Sequence, residues 1–346
     1  MAEDLTFVTG ATGFIGSHVV RLLRARGKRV RILVRKSSRP QNIEGLGCEI
    51  ILGDLRDALS LGRCVQGCRW VYHVGADYRL WARNPQEIYE SNVAGTRNLL
   101  SACCEAGVEK VVYTSTVGTI GMRADGVPTD EETPVSLDEM IGHYKRSKFM
   151  AEQVALEFAH SGLPVVIVNP TAPVGHGDIK PTPTGKVILD YMRGRLPAYV
   201  DTGLNIVWVE DVAQGHILAE DKGGIGERYL LGGENMTLQE ILETLARLCG
   251  SRMPRFPMPW AAALVAAYLD QFFMGTILRR EPTIPLEGVR MARHKMFVSS
   301  AKATRVLGYS PRPAEQALRE AVDYFRDVWS AHSAKDRISG VRTGTA

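Results

Sequence analysis

The feature that most constrains this chain is a repeated order of short β-branched runs and helical segments, beginning with LTFVT at residues 5–9. That run ends in glycines and is followed by an apolar repeat of three and four residues from Phe14 to Arg26, closed by Gly27. Strand, tight turn and helix are the expected order. The pattern recurs with RVRILVR (29–35), CEIIL (48–52), WVYHV (70–74), KVVYTS (110–115) and PVVIVNP (164–170), each separated from the next by a helical stretch. Strands joined through helices pair in parallel, and the helices then cover both sheet faces. The expected class is α/β, a doubly wound parallel sheet.

Two of the helices are explicit: 88–107 and 143–162 carry apolar residues three and four apart, and both end in Gly. After Pro170 comes a Pro/Gly-rich stretch, PTAPVGHGDIKPTPTG, and the alternation is not expected to resume cleanly. A helix at 237–249 capped by Thr237, the apolar segment 258–274 and a final helix at 313–329 are expected to build a smaller lobe over the carboxyl ends of the strands. The expected division is a nucleotide-binding core at 1–170, to which later segments return, a mainly substrate-binding lobe at 171–330, and a flexible tail at 331–346.

Composition excludes little beyond disorder and fibres, since 45% hydrophobic and 23% charged residues suit a globular protein. Six cysteines read as reduced, buried thiols, and no basic leader with an apolar core precedes Leu5, so a cytoplasmic placement is expected. The run MPWAAALVAAYLDQFFM (258–274) is short for a bilayer span, which needs about 20 apolar residues. Residues 251–346 hold 15 Lys/Arg against 8 Asp/Glu, so the basic charge is concentrated around that run. Peripheral contact with the inner membrane surface is the expectation this raises, and a solvated basic face is its plain alternative. No nucleic-acid partner is expected.

The segment TGATGFIG sets Gly10, Gly13 and Gly16 between the first strand and the first helix. Without side chains there, the backbone can approach a pyrophosphate that the helix N-terminus then faces, as in a Rossmann-type dinucleotide site. The spacing differs from G-x-G-x-x-G, so it is the position between strand and helix that carries the signal. At the end of the second strand stand Arg35 and Lys36 rather than a carboxylate, which favours NADP(H) over NAD(H). Asp54 in GDLRD is placed either to bond an adenine amino group or simply to close a surface turn.

Tyr144 and Lys148 are four apart at the start of a helix and so project from one face. A phenol with a pKa near 10 is a poor base, and a neighbouring ammonium favours its ionised form. The hydroxyls of Thr114, Ser115 and Thr116 at the end of the fifth strand are candidates to hold a reacting oxygen, or to satisfy strand-end backbone groups. His73, His176 and His216 have no ligand-spaced partners, and Cys64 and Cys68 have no second pair, so no metal is expected.

In their order TGATGFIG, GDLRD, VYHVGA, NVAGTRNLL, YTSTVGTIG, YKRSK, NPTAPVG and WVEDVA, the motifs resemble the extended short-chain dehydrogenase/reductase family over about residues 5–330. That family includes epimerase/dehydratases, dihydroflavonol reductases and 3β-hydroxysteroid dehydrogenases. The resemblance implies a cofactor cradle of Gly10, Thr12, Gly13, Phe14, Ile15 and Gly16, with Arg35 near the adenosine ribose and Asp54 and Leu55 at adenine. Val74, Gly75, Ala76, Asn92, Thr114, Pro170, Thr171, Ala172 and Val174 would line the remainder. Thr116, Tyr144 and Lys148 would be the catalytic residues, the last two also touching the cofactor. The helices at 88–107 and 143–162 pair into a homodimer interface in relatives. HVGA (73–76) departs from the family's HxAA, and ADYRLW, IGHYKRSK and RMARHKMFVSSAKATRVLGY look like the hopanoid-associated sugar epimerase subgroup. That likeness implies a sugar-like polyol on a triterpenoid lipid, with Asp77, Tyr78, Trp81 and Ser115 as substrate contacts. The expected activity is NADP(H)-dependent hydride transfer at a secondary hydroxyl or ketone, by a reductase or an epimerase. The alternatives are a nucleotide-sugar epimerase/dehydratase with tightly bound NAD, and a non-catalytic NADP-binding sensor or scaffold.

Overall fold

The computed structural model describes residues 4–123, 127–254 and 256–341, with side chains through Val328. The chain opens with β1 (Leu5–Thr9), α1 (Phe14–Ala25), β2 (Arg29–Val34), β3 (Glu49–Leu52), α2 (Ala58–Val65) and β4 (Trp70–His73). It continues through α3 (Gln86–Tyr89), a π-helical turn (Glu90–Ala94), α4 (Gly95–Ala106), β5 (Lys110–Thr114), α5 (Gly142–His160) and β6 (Val165–Pro170). Then follow β7 (Ala172–Val174), α6 (Pro183–Met192), β8 (Ala198–Tyr199), β9 (Gly203–Trp208), α7 (Val209–Lys222), β10 (Arg228–Leu231), β11 (Glu234–Thr237) and α8 (Leu238–Cys249). The last elements are β12 (Phe256–Pro257), α9 (Trp260–Asp270), a second π-helical turn (Gln271–Ile277), α10 (Leu286–Met291), α11 (Ala301–Leu307) and α12 (Ala314–Val341).

Seven strands form one sheet in the order β3-β2-β1-β4-β5-β6-β10, every pair parallel. Successive side chains point to opposite faces. Val8, Ile32, Tyr72, Val112 and Val168 therefore enter the layer beneath α1, α7 and α11, while Phe7, Leu33, Val71, Tyr113 and Ile167 enter the layer beneath α2, α4 and α5. Burial on both faces is why the strands read as continuous apolar runs rather than alternating ones.

The six expected strands are present, but the sheet has a seventh. Alternation does resume after Pro170, through β9, α7 and β10, and β10 pairs with β6. Its four residues, RYLL, are too few to carry a periodic signal. Strands β7, β9 and β11 form a small separate sheet that packs with α6, α8 and α12 around Val174, Ile206, Leu245 and Phe325, and β8 pairs with β12. Thr237 caps α8 as expected, its hydroxyl accepting from the Glu240 amide and Glu240 accepting in return from the Thr237 amide.

Residues 331–341, within the expected tail, belong to α12, which continues to Val341 with no Gly or Pro before Gly340; residues 342–346 lie outside the described residues. The cysteines are unpaired thiols, but Cys104 is exposed on the outer side of α4. The segment Trp260–Ile277 is helical and keeps most of its large side chains outward, with only Ala263 and Ala267 of α9 buried.

Two glycines inside helices separate tertiary contact from helix propensity. A Cβ on Gly16 of α1 would stand 2.2 Å from the Gly10 carbonyl oxygen, whereas one on Gly62 of α2 would meet nothing within 4 Å. Gly62→Ala is expected to raise stability by about 0.5–1 kcal/mol, the ordinary gain for Ala over Gly in a helix. Gly16→Ala is expected to lower it, because the backbone contact outweighs that gain. Thermal denaturation of both variants tests this, and equal shifts of the same sign contradict it.

Candidate active site

The carboxyl ends of β1 and β4 meet where the strand order reverses, with the chain running to β2 on one side of β1 and to β4 on the other. Ligands of open α/β sheets bind at such a point. Gly10 takes φ +69°, and a Cβ there would lie 2.6 Å from the Gly75 backbone. With Gly16 under the Gly10 carbonyl, three stretches of backbone touch and leave a shallow cradle above them. Gly13 is the N-cap of α1; no side chain caps that end, and its first turn holds no acid. The helix therefore presents unclaimed amides and a partial positive charge to the cradle. Thr12, Phe14 and Ile15 are half-buried around it, and Ile15 packs onto the core.

At the adenosine end, Arg35 is exposed just past β2, and its guanidinium has no hydrogen bond or ion pair among the described residues. Asp54 is bonded by Arg56 at 3.0 and 2.8 Å, which holds its carboxyl below the usual range, with Arg35 adding a smaller pull. Leu55 packs against Gly75 and Gly95, and Val74 joins the core beneath α1. At the opposite end, the buried Thr171 hydroxyl has no hydrogen-bond partner. Pro170, Ala172 and Val174 form the adjoining β6–β7 corner. An uncapped helix end, a cradle that any Cβ would fill and an orphaned hydroxyl are what a bound dinucleotide requires, so the residues fit one.

Between these ends, Thr116 and Tyr144 face one another. Burial raises the Tyr144 phenol above its usual pKa of 10, and the neighbouring Thr116 hydroxyl draws it back by a smaller amount. Ser115 turns the other way and is buried against Thr119 at 3.3 Å, while the Thr114 hydroxyl pairs with His216 at 2.8 Å. Lys148 is buried, its ammonium donating to the Tyr113 hydroxyl at 2.8 Å and the Thr114 carbonyl at 2.7 Å. Burial lowers its pKa to about 7 and Glu152 opposes that shift. In this structure the Lys148 ammonium thus engages Tyr113, a residue the sequence pattern did not single out, while the Tyr144 phenol neighbours Thr116. Asn92 accepts from the Asp77 amide and donates to the Asp77 carbonyl and to Ser147, tying the strand following Ala76 to α5.

Asp77 is paired with Arg79 at 2.6 Å, and the Tyr78 hydroxyl bonds the Lys180 carbonyl at 3.3 Å. Trp81 lies against Gly275, so the end of the 77–83 segment borders the lobe. The start of α5 has no cap of its own. Instead Glu287 of α10 accepts from the His143 amide at 3.2 Å, and Gly142, at φ +81°, leaves room for that carboxylate. Partial burial raises Glu287 to about 6. Nothing in the sequence connects Glu287 with the start of α5, since the contact with His143 spans 144 residues and is purely tertiary. Tyr113 had a signal: on a strand it shares a face with Val111, and so points at the helices that carry Lys148.

His73 is bonded by Thr9 and Thr96, and burial takes its pKa to about 3; His216 is similarly taken to about 4. Both are neutral framework groups. His18, His176 and Glu210 converge among the described residues, but His18 Nε2 is committed to the His176 carbonyl at 3.0 Å and Glu210 to Arg312 at 3.1 Å.

The fold and this site define an enzyme that uses a nicotinamide dinucleotide. Residues 6–232 match the model of the NAD dependent epimerase/dehydratase family, and the chain belongs to that family, within the extended short-chain dehydrogenase/reductases. A relative named putative dihydroflavonol 4-reductase, from Synechocystis, is 44% identical over 94% of this chain and 95% of its own. Sterol demethylase protein B of Methylococcus capsulatus is 37% identical over 93% and 98%. The crystal structure of gox2253 is 47% identical, covers 94% of this chain and 98% of its own, and superposes with a TM-score of 0.84.

The buried Lys148 makes stability depend on pH. Its folded pKa of about 7 lies below the ordinary 10.5, so between those values the unfolded chain holds a proton that the folded one releases. Stability of the cofactor-free protein from this group therefore rises with pH across that window. Urea denaturation at pH 7 and pH 9 is expected to show a smaller rise for Lys148→Met than for the wild type. Equal rises contradict the assignment.

Proposed function

We propose that the protein transfers a hydride between NADP(H) and a secondary hydroxyl or ketone of a sugar-like or polyol group carried on a hopanoid-like or other triterpenoid lipid. The observation that carries the reading is the Tyr144 phenol held against the Thr116 hydroxyl beside the buried Lys148, at the mouth of a dinucleotide cradle. Gly10, Gly13 and Gly16 would hold the pyrophosphate on the α1 amides, Asp54 and Leu55 the adenine, and Val74 to Ala76 with Pro170, Thr171, Ala172 and Val174 the nicotinamide half. The nicotinamide supplies or takes up the hydride when bound.

Tyr144 gives a proton to the substrate oxygen in reduction and takes one in oxidation, with Thr116 hydrogen-bonded to that oxygen. Lys148 supplies positive charge beneath the phenol, and a dinucleotide's phosphates favour its charged form. The lipid part of the reading is supported by the name of the sterol demethylase relative and by the apolar surface of the C-terminal lobe. In this proposal residues 1–170 carry the cofactor and 171–330 mainly the substrate, with Asp77, Tyr78 and Trp81 nearest to it, while the buried Ser115 supports Thr119 instead of touching it. A cytoplasmic homodimer through α4 and α5, in peripheral contact with the inner membrane surface, belongs to the same reading.

Tyr144→Phe is expected to lower turnover by about 10²–10⁴-fold while leaving NADP(H) affinity nearly unchanged, since it removes a proton donor and no phosphate contact. Activity within about tenfold of wild type overturns the assignment.

The exposed Arg35 supports the cofactor preference. NADP(H) is expected to bind more tightly than NAD(H), and Arg35→Asp to reverse that order by placing a negative charge at the 2′-phosphate. Titration calorimetry with both cofactors measures it; equal wild-type affinities contradict it.

A further inference from the structure

The helix of α9 and its π-helical continuation, Trp260–Ile277, is apolar enough over 18 residues to cross a membrane, yet only 11% of it is buried. A core helix of that composition would be enclosed. Val265, Tyr268, Leu269, Phe272, Phe273, Ile277 and the following Leu278 are each about half exposed, and the rings of Phe272 and Phe273 touch edge to face. They recur at three- and four-residue steps, which places them along one side. The opposite side is thin: Ala263 and Ala267 let α10 pack closely.

Both ends of the segment are tied to the same part of the lobe. The Trp260 indole donates to the Val289 carbonyl at 2.8 Å, Arg290 donates to the Tyr268 hydroxyl at 2.7 Å, and the Asp270 carboxylate accepts from the Ile284 amide at 2.7 Å. A helix fastened along its length to a second helix on one flank lies on a surface rather than passing through it. At its C-terminal end Arg279 and Arg280 are exposed, and Arg83 joins them by bonding the Arg279 carbonyl at 2.9 Å. These three guanidinium groups form a cationic rim at one end of the apolar side. A cleft of about 360 Å³ opens at this rim, lined by Trp81, Arg83, Gly275, Thr276 and Arg279.

We propose that this side of the lobe docks on an anionic phospholipid bilayer as a monotopic contact, with Phe272, Phe273 and Ile277 in the acyl region and Arg83, Arg279 and Arg280 at the phosphates. The charge of the rim selects an anionic surface over a second copy of this chain, whose identical rim would repel it. The cleft then opens at the depth of the head groups, where a lipid-borne polar group would enter. α10 lies between the docked helix and the catalytic helix, and Glu287 on it caps α5 beside Tyr144. The inference deepens the lipid-substrate reading, but bilayer binding and turnover are measured separately and fail separately.

The test is sedimentation of the full chain with vesicles of phosphatidylcholine alone or mixed in equal parts with phosphatidylglycerol. Wild type is expected to pellet with the mixed vesicles, much less with phosphatidylcholine, and less at high salt. Phe272→Ser with Phe273→Ser is expected to weaken pelleting by roughly tenfold or more, and Arg279→Glu with Arg280→Glu to abolish the preference for anionic lipid. NADP(H) binding, unchanged in both variants, shows that the nucleotide site is still folded. Wild type remaining in the supernatant with both vesicle types overturns the proposal. So does a wild-type dimer, seen by light scattering, that the Phe272/Phe273 variant converts to monomer, for that result assigns the face to a second copy.

Discussion

The approach of three backbone segments at Gly10, Gly16 and Gly75 fixes where β1, α1 and β4 stand relative to one another, and the rest of the site takes its geometry from that contact. A Cβ on Gly16 would stand 2.2 Å from the Gly10 carbonyl oxygen and push α1 from the strand end, and one on Gly10 would stand 2.6 Å from the Gly75 backbone and part β1 from β4. Because α1 is pinned there without a cap, its amides face outward as an anion site instead of being satisfied within the protein. The same contact places the end of β4, so the 75–77 backbone passes over Asn92 and is bonded to it.

From that frame the start of α5 is held by groups outside itself. Glu287 satisfies its first amides from the C-terminal lobe, and Asn92 holds Ser147 from the π-helical turn before α4. Beside those anchors Tyr144 and Lys148 are one helical turn apart, yet their surroundings differ. The phenol meets a hydroxyl at the cleft, whereas the ammonium is drawn under the sheet edge by a phenol and a carbonyl. Burying an ammonium costs less when several acceptors surround it, and it leaves a group whose protonation responds to any charge brought above it. A dinucleotide brings such charge.

Much of this was readable from the sequence because it depends on local pattern. The β-branched runs separated by helical periods specify six of the seven strands, and the glycine turn marks the end of β1. The Tyr-x-x-x-Lys spacing puts both side chains on one helical face. Other features depend on distant contacts. Ser115 and Thr116 are equivalent by pattern, and only the 3₁₀ turn at Val117–Thr119, capped by Thr116 itself, turns one inward and the other toward Tyr144. The strand RYLL is too short to announce itself. The exposure of the outer face of α9 was not legible either, because composition reports apolar surface without saying what covers it.

The account's central claim is that a nicotinamide dinucleotide lies along the glycine cradle with its reactive ring beside Tyr144. A crystal structure of the protein with NADP⁺ tests it most directly. The account predicts the pyrophosphate on the amides at the start of α1, the 2′-phosphate within reach of Arg35, and the nicotinamide C4 facing a space between it and the Tyr144 and Thr116 hydroxyls wide enough for one substrate carbon, with reacting atoms about 3–3.5 Å apart. A dinucleotide bound elsewhere, or bound with its nicotinamide turned away from Tyr144, contradicts it.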